Sequence, residues 1–381
     1  MLFFKIMTIF ACYNVGNGVY ATFMLAFCRL FISYITSSFE MSTETNLNWA
    51  ELPFGYVPTD YNVRCTYRDG KWGEIEVTQS DTINIHMAAT CLHYGQEIFE
   101  GLKAFRGKDG KIRIFRLEEN AHRIRQSAEG LVMAPIPEDK FKEMCIKAVE
   151  LNERFVPPYG SGASLYLRPL EIGLSPRVGV SAATEYLFII FVTPVGPYFK
   201  TGFGVTKICM TRQYDRVAPK GTGRFKTGGN YAASLKSGVM AKELGYSAVL
   251  FLDPKEKKYL DECGPANFFA IKGNKYITPA SESILPSITN MSLKQLAADM
   301  GLEVEARHIP VEELNEVDEA AACGTAAVAS PIGEIDDLDN GTHYVIAKDG
   351  KPGPWTTKLY NALRGIQLGE VEDVHHWNTV L

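Results

Sequence analysis

A single lysine, Lys226, stands between two short glycine runs in the stretch "GTGRFKTGGNY", residues 221–231. A lysine in this setting could bind a phosphate, act as a nucleophile or lie in a solvated surface turn. Because lysine side chains are mostly exposed, the surface turn is the default interpretation. The neighbouring glycines would let the backbone approach a ligand closely, and Tyr231 places a phenol nearby. A Schiff-base-forming lysine is therefore an open alternative.

Two kinds of phosphate-binding loop are excluded by the residues around Lys226. A P-loop reads G-x-x-x-x-G-K-[ST], but Phe225 and Lys220 occupy its two glycine positions. The dinucleotide-binding pattern G-x-G-x-x-G also fails, because "GTGRFK" ends in Lys226. Lys226 is therefore not predicted to clamp a phosphate in either of these ways.

The composition is that of an ordinary globular protein. The chain has 381 residues, of which 46% are hydrophobic and 22% charged, and its formal net charge is -5. This length indicates two domains at about 150 residues each, and the acidic balance indicates no nucleic-acid partner. The eight cysteines are scattered without a C-x-x-C pair, which predicts free thiols in a reducing, cytoplasmic location. No cluster of ligands predicts a metal site.

The first forty residues carry only three charged residues, Lys5, Arg29 and Glu40. A membrane anchor, a signal peptide and translation from upstream of a true start at Met41 are three interpretations. Arg29 would cost about 2.5–3.5 kcal/mol at the centre of a bilayer, and no small-residue cleavage site is evident. The start at Met41 is favoured, so residues 1–45 are expected to be an apolar extension outside the fold, with no membrane partner.

The elements that must position Lys226 form two predicted α/β domains, residues 46–194 and 205–381. Between them, residues 195–204 are rich in proline and glycine and predict an interdomain loop. In the first domain, apolar residues recur every three or four positions from Leu117, which predicts a helix. Two buried strands follow the double proline at Pro157.

In the second domain the glycine loop leads into a helix for which Asn230 is a suitable cap. A hairpin is predicted over residues 267–279, and a helix follows "ILPSIT". The run of small residues at 319–330 predicts one buried strand, and a last helix follows residue 355.

Six segments of the chain, taken together, resemble the branched-chain amino-acid aminotransferases. They are "HYGQEIFEGLKAF", "SLYLRP", "FKTGGNYAASLKSGVMAKELGY", "LDECGPANFF", "ILPSITNMSL" and "CGTAAVAS". The resemblance runs in order from about Asn46 to Leu381. It implies a fold type IV enzyme with α/β architecture and mixed sheets, whose pyridoxal 5′-phosphate lies at the interface of two domains. It also implies transamination of L-leucine, L-isoleucine and L-valine with 2-oxoglutarate, giving branched-chain 2-oxo acids and L-glutamate.

The resemblance assigns the cofactor-binding residues by position. Lys226 matches the Schiff-base lysine, which would also move the proton during catalysis. Glu262 matches the acid that faces the pyridine nitrogen, and Tyr231 matches the phenol that bonds the cofactor's O3′. The positions that match the phosphate ligands are Arg123, Ile288, Thr289 and Thr325.

The resemblance likewise implies an aromatic substrate pocket with one cation. The matching positions are Phe54, Tyr94, Phe99, Tyr166, Arg168, Val180, Tyr198 and Ala326. Arg168 would hold the side-chain carboxylate of 2-oxoglutarate. In the family Tyr94 comes from the partner subunit and Val180 closes the neighbouring site, which implies a homodimer or larger homo-oligomer with a shared active site.

Three departures from the family pattern bear on the site. Pro265 stands where many relatives have threonine or glycine, and it lacks the N–H that could contact a carboxylate. Ser287 replaces the glycine of the phosphate loop. Ala327 and Ser330 stand where some animal relatives have a redox C-x-x-C, so no thiol switch is predicted there.

Other functions share part of this pattern. D-Amino-acid transaminases and aminodeoxychorismate lyases would keep Lys226 and the phosphate ligands, whereas "SLYLRP" and "HYGQEIFEG" favour the branched-chain enzymes. A non-catalytic binding protein on the same fold is the alternative from a different class.

Overall fold

Two nine-stranded sheets with helices packed against them make up the computed structural model, which describes residues 45–199 and 202–381. The predicted N-terminal extension therefore lies outside the described residues, apart from Thr45. Residues 200 and 201 of the predicted interdomain loop lie outside them as well. Within the described part of the chain, no helix has both the length and the hydrophobicity needed to cross a membrane.

The strands are β1 (Asn62–Arg68), β2 (Lys71–Trp72), β3 (Glu76–Thr78), β4 (Glu97–Phe99), β5 (Leu102–Arg106), β6 (Ile112–Phe115), β7 (Ser164–Gly173), β8 (Tyr186–Val195), β9 (Thr206–Met210), β10 (Val249–Leu252), β11 (Leu260–Cys263), β12 (Ala266–Lys272), β13 (Lys275–Pro279), β14 (Glu303–Arg307), β15 (Glu319–Gly324), β16 (Val328–Asp337), β17 (His343–Val345) and β18 (Asn378–Val380). The α-helices are α1 (Thr90–Tyr94), α2 (Leu117–Gly130), α3 (Glu138–Glu150), α4 (Gly228–Glu243), α5 (Ile288–Asp299) and α6 (Pro354–Gln367). Two short 3-10 helices span Glu153–Phe155 and Val311–Asn315.

The first sheet is antiparallel, with the strand order β18-β6-β5-β7-β8-β1-β2, and β3 and β4 pair with β1 and β7. Helices α2 and α3 pack against this sheet. Helix α2 does so through the apolar stripe predicted from the three- and four-residue spacing of its apolar residues. Leu117, Ala121, Ile124 and Ala128 of α2 are all buried in one core with Phe141 of α3. Burial of this stripe is what stabilises α2 against the sheet.

The second sheet is mixed and closes on itself. Its order is β11-β10-β9-β16-β15-β12-β13-β14, with β17 on β16 and a further pairing between β11 and β12. The pairs β9–β10, β9–β16 and β13–β14 are parallel. Leucines of α5 and α6 pack with Phe269 and Tyr276 over one face of this sheet.

The chain passes from the first sheet to the second between β8 and β9, but β18 returns to the first sheet and pairs with β6. Residues 47–381 form one compact unit. The division at residues 194 and 205 therefore stays a prediction.

Two local predictions were wrong. Residues 319–330 form parts of two antiparallel strands, β15 and β16, joined by a tight turn at 325–327, and not one strand. The turn was missed because threonine and alanine carry no turn signature there. Its position is set by the pairing of the two strands. Asn230 is not the cap of α4, which begins at Gly228. Its side-chain amide instead donates to the carbonyls of Thr222 and Phe225, both at 2.9 Å, and so closes the loop that carries Lys226.

Candidate active site

Lys226 lies in the loop between β9 and α4, two residues before the helix begins. Its backbone N–H donates to Ser127 Oγ of α2 at 3.0 Å, and its carbonyl accepts from the N–H of Phe99 at 3.0 Å. The side chain turns inward, so that Nζ donates to the Tyr231 phenol at 2.8 Å and lies 4.7 Å from the centre of the Phe99 ring. The amine is thus held between aromatic side chains at the end of a fixed backbone.

The surroundings of Lys226 favour its neutral form. Burial, and next the positive charge of Arg123, lower the pKa of the amine to about 8. Among the described residues no carboxylate forms an ion pair with Lys226, and the charge of Glu100 only partly offsets this effect. A neutral amine is a nucleophile and a base, so the environment suits covalent chemistry.

Tyr231 stands on the first turn of α4, next to Lys226 Nζ. Burial, followed by the nearby charge of Glu262, raises the pKa of its phenol to about 12. The phenol therefore keeps its proton across the physiological range and can donate a hydrogen bond into the site.

Glu262, on β11, is a buried carboxyl with three hydrogen-bonding partners. Oε1 accepts from the Leu285 N–H at 2.7 Å and from Asn267 Nδ2 at 3.0 Å, and Oε2 lies 2.9 Å from Arg216 Nε. Burial raises the pKa of Glu262 to about 7, while the positive charge of Arg216 opposes that rise. The group is thus fixed in direction and can exchange a proton near neutral pH.

Arg216 and Asn267 were not singled out from the sequence. Arg216 lies in an irregular loop, where its type and position give no sign that it pairs with Glu262. Its guanidinium also donates to the carbonyls of Gly223 and Ser283, which ties the Lys226 loop to the segment before α5. Asn267 faces Glu262 in the β11–β12 hairpin, and a hairpin register is the only signal that could have linked them.

Arg123 of α2 forms a buried ion pair that was likewise not predicted from the sequence. Its Nε and Nη2 each donate to one oxygen of Glu100 at 2.7 Å, and Nη1 donates to the Pro286 carbonyl at 2.9 Å. Glu100 is fully buried. Since a guanidinium has five N–H donors, one on Nη1 and one on Nη2 remain for an anion.

The anion side of the site continues at the start of α5. Ile288 and Thr289 are the first residues of this helix, where backbone N–H groups have no acceptor within the helix. Ser287 caps the helix, because its Oγ accepts from the Asn290 N–H at 3.2 Å. The φ of Ser287 is -77°, so a serine in place of glycine introduces no backbone strain.

The turn 325–327 is anchored to the first sheet. Thr325 Oγ1 donates to the Gly101 carbonyl at 3.2 Å, and Lys103 Nζ of β5 donates to the Ala326 carbonyl at 2.8 Å. Burial, and then the charge of Arg364, lower the pKa of Lys103 to about 7. Two side-chain bonds therefore fix the turn that carries Thr325 and Ala326.

Two adjoining cavities bring most of the candidate residues together. The first is lined by Arg123, Lys226, Tyr231, Glu262, Ile288 and Thr325. The second, of about 590 Å³, is lined by Phe54, Phe99, Tyr166, Arg168, Tyr198 and Ala326. Lys226, Tyr231 and Thr325 border both cavities. Thr289 is buried beside Ile288 without lining the first cavity.

Arg168 is the cation of the second cavity. Its guanidinium lies 4.7 Å from the centre of the Phe99 ring, and Nη2 donates to the Tyr166 phenol at 3.2 Å. Its Nε is buried without a hydrogen-bonding partner. Since no carboxylate of the described residues forms an ion pair with it, a cation held in this way by aromatic rings can still accept an anionic ligand.

Two positions predicted to line the substrate pocket lie outside both cavities, and the Pro265 position lies at their border. Tyr94 and Val180 line neither cavity: the Tyr94 phenol donates to the Val178 carbonyl, and Val180 is 85% exposed. Pro265 borders both cavities at the β11–β12 turn, where its ring offers no N–H.

Similar proteins are known. Residues 97–335 match the family model for class IV aminotransferases. The chain is 45% identical over 339 residues to a branched-chain-amino-acid aminotransferase of Haemophilus influenzae. The match covers 87% of this chain and 98% of that protein. It is 45% identical over 336 residues to one of Helicobacter pylori, with 87% and 97% covered.

Among solved structures, the chain is similar to a branched-chain amino acid aminotransferase of Thermobaculum terrenum in its PLP form. The TM-score is 0.68 at 26% identity, and the match covers 85% of this chain and 98% of that chain.

Proposed function

From the premise that the chain belongs to the class IV aminotransferases, and among them to the branched-chain-amino-acid aminotransferases, we propose that it transfers the amino group of L-leucine, L-isoleucine and L-valine to 2-oxoglutarate. The predicted family, enzyme class and α/β fold are confirmed by these matches. The observation that carries the finer proposal is the convergence of Lys226, Glu262 and Arg123 on one cavity.

The residues of that cavity fit pyridoxal 5′-phosphate. At one end, the free N–H groups of Arg123 and the first amides of α5 can bind a phosphate. The Thr325 hydroxyl can join them by turning its single O–H from the Gly101 carbonyl to the anion. At the other end, Glu262 offers a carboxylate to the protonated ring nitrogen. When bound, the cofactor supplies an electron sink for the charge left on the substrate's Cα.

Lys226 is the covalent attachment point of the cofactor and the proton carrier of the reaction. Once substrate has displaced it, Nζ would carry the proton from the substrate's Cα to the cofactor's C4′. The Tyr231 phenol and the Phe99 ring hold Nζ in one direction. The lowered pKa makes the neutral amine available near neutral pH.

Glu262 holds a proton at the ring nitrogen, and its neighbours keep it in place for this task. Arg216 stabilises the carboxylate charge through the 2.9 Å ion pair, and Leu285 and Asn267 fix its orientation. Electrostatic preorganisation of this kind is a large contribution to many enzyme reactions.

Substrate binding is assigned to the second cavity. Its aromatic wall suits an apolar branched side chain, while Arg168 suits the second carboxylate of 2-oxoglutarate or glutamate. Arg168 can pack against the aromatic rings when an apolar side chain is bound and extend from them when a carboxylate is bound. One cavity can therefore accept both kinds of substrate.

The assembly is proposed to be a homodimer, or a larger homo-oligomer, with shared sites. Met87, Leu92, Val178 and Val180 expose apolar side chains around the segment that carries Tyr94, as an interface between subunits would require. The six cysteines in the described residues are free, which suits the reducing cytoplasm proposed as the location.

The test is an amino-donor panel with purified protein and added pyridoxal phosphate. L-Valine, L-leucine, L-isoleucine, L-glutamate and D-alanine are each paired with 2-oxo-acid acceptors. We expect turnover of the branched-chain L-amino acids, none for Lys226→Ala, and wild-type turnover for Lys242→Ala, an exposed lysine of α4. Preference for D-alanine would favour a D-amino-acid transaminase, and a colourless, inactive wild-type protein would reject the enzyme.

A further inference from the structure

Glu97 reaches from the first sheet to the beginning of α4, just after Lys226. It lies in β4, and its Oε1 accepts a hydrogen bond from the Gly228 backbone N–H and a longer one, 3.4 Å, from the Thr227 hydroxyl. Gly228 is the first residue of the helix. A Cβ at this position would overlap the Glu97 carboxylate, so the glycine is what allows the approach.

No local side chain caps α4. Thr227 occupies the N-cap position, but it makes no side-chain hydrogen bond to the helix. A helix begins with N–H groups that have no intrahelical acceptor, and a negative charge there is stabilising. The carboxylate of a strand more than a hundred residues earlier fills this role, roughly as a local capping residue would.

The same strand holds Lys226 by a second bond. The Phe99 N–H donates to the Lys226 carbonyl at 3.0 Å, and the Phe99 ring packs beside Nζ. Strand β4 therefore fixes the chain on both sides of Thr227, through the Lys226 carbonyl and the Gly228 N–H. Loss of the Glu97 contact would leave the helix start, and with it the lysine, free to shift.

We propose that Glu97 is a positioning residue for Lys226: its carboxylate fixes the first turn of α4 and thereby the direction in which Nζ enters the cavity. The inference rests on the proposed function for its catalytic consequence. Partial burial raises the pKa of the Glu97 carboxyl, and the bonds from Gly228 and Thr227 oppose that rise, as expected for a half-buried acid held by a specific contact.

The experiment compares Glu97→Ala and Glu97→Gln with the wild type and with Glu76→Ala, an exposed glutamate of β3. Hydrogen exchange is measured on the cofactor-free chain in the peptide that covers residues 226–231. The single-turnover rate and the apparent affinity for L-leucine are measured on the holoenzyme. If Glu97→Ala does not fold, Glu97→Asp, which keeps the charge but shortens the reach, replaces it.

We expect Glu97→Ala to speed exchange at residues 226–231 by about tenfold and to slow the single turnover by about tenfold or more. The KM for L-leucine stays within about threefold of wild type, since no substrate contact changes. Glu97→Gln retains an acceptor oxygen and stays within about threefold of wild type in all three measurements; Glu76→Ala behaves as wild type.

Wild-type exchange and turnover in Glu97→Ala would overturn the proposal, as would a change in KM alone or a Glu97→Gln variant as impaired as Glu97→Ala. If the wild-type protein does not transaminate L-leucine, the proposed function fails. The exchange comparison needs neither cofactor nor substrate, so it then still decides whether Glu97 positions Lys226.

Discussion

At the scale of single residues, the site is defined by ionisable groups placed in surroundings that change their charge. Lys226 lies among aromatic rings and near Arg123, while Glu262 is buried with Arg216 as its counter-charge. The shifts move the pKa of a base downward and that of an acid upward, so both groups can exchange protons near neutral pH. Paired shifts of this kind are typical of catalytic sites.

The first prediction concerns the pH dependence of cofactor attachment. Only the neutral amine attacks an aldehyde, and the pKa of Lys226 is lowered to about 8. The rate at which the cofactor-free chain takes up pyridoxal phosphate should therefore rise with pH to a midpoint near that value, rather than near the ordinary lysine value of about 10.4. The measurement is visible absorbance after rapid mixing over a pH series. A midpoint close to the ordinary value would show that burial does not tune this lysine.

The second prediction separates cofactor binding from turnover. Glu262→Gln keeps the shape and one acceptor oxygen of the side chain but loses its charge, so it should bind pyridoxal phosphate and lose about 100-fold or more of kcat. The kcat of Arg216→Met should lie between those of Glu262→Gln and the wild type, because the carboxylate remains but loses its counter-charge. Titration of cofactor absorbance and steady-state assays make the comparison, with the exposed Glu256→Gln as control. Unchanged turnover in Glu262→Gln would remove its proposed role.

At the scale of elements, short segments with few residues position the whole site. The segment from β4 to the start of β5 supplies Phe99 to the second cavity, Glu100 to Arg123 and the Gly101 carbonyl to Thr325. Helix α5 begins beside Arg123, whose Nη1 donates to the Pro286 carbonyl two residues before the helix. The functional groups are thus held by edges and ends of elements rather than by their interiors.

The third prediction tests the cap of α5. Ser287→Ala removes the Oγ acceptor of the Asn290 N–H, so the free energy of unfolding should fall by about 0.5–2 kcal/mol, while Ser287→Gly should cost only a few tenths. Urea denaturation with an unchanged m-value would report this as a stability effect. An alanine variant as stable as the wild type would show that the serine does not cap the helix.

The elements could be predicted from the sequence where one physical signal dominates. The stripe from Leu117 to Ala128 has helical spacing and is buried as one face, so α2 followed from pattern alone. The turn at 325–327 could not be found, because a threonine and two alanines carry no turn signature and only the pairing of β15 with β12 and of β16 with β9 places it. Asn230 fits a helix cap by type, but long-range folding of the loop gives its amide other acceptors.

The candidate site shows the same division. Lys226 and Glu262 could be proposed because distinctive motifs surround them. Glu100, Arg216 and Asn267 could not, since their importance comes from contacts between distant segments and their residue types are common on surfaces. Motifs locate groups that act on a ligand, whereas the residues that hold those groups are found only from their contacts.

At the scale of the whole molecule, the two sheets meet around the cavities, and two of the residues predicted to line the substrate pocket lie outside them. Tyr94 and Val180 line neither cavity, and the apolar side chains around them are exposed. These features agree with the proposal that a partner subunit completes each site.

The fourth prediction is complementation between inactive subunits. If Tyr94 serves the partner's site, Tyr94→Ala and Lys226→Ala chains should each have low activity, and mixed dimers should hold one intact site. Random reassociation would restore about a quarter of wild-type activity, since half the dimers are mixed. Activity after co-refolding is the measurement, with each variant refolded alone as control. No gain on mixing would contradict a shared site containing Tyr94.

The claim on which the whole account depends is that Lys226 is where the cofactor becomes attached. Borohydride reduction of the wild-type protein with pyridoxal phosphate, followed by peptide mass mapping, tests it directly. The account predicts a phosphopyridoxyl group on Lys226, near one per chain, that is lost in Lys226→Ala and unaffected in Lys242→Ala. A modified lysine elsewhere, such as Lys103, or no modified lysine at all, would contradict it.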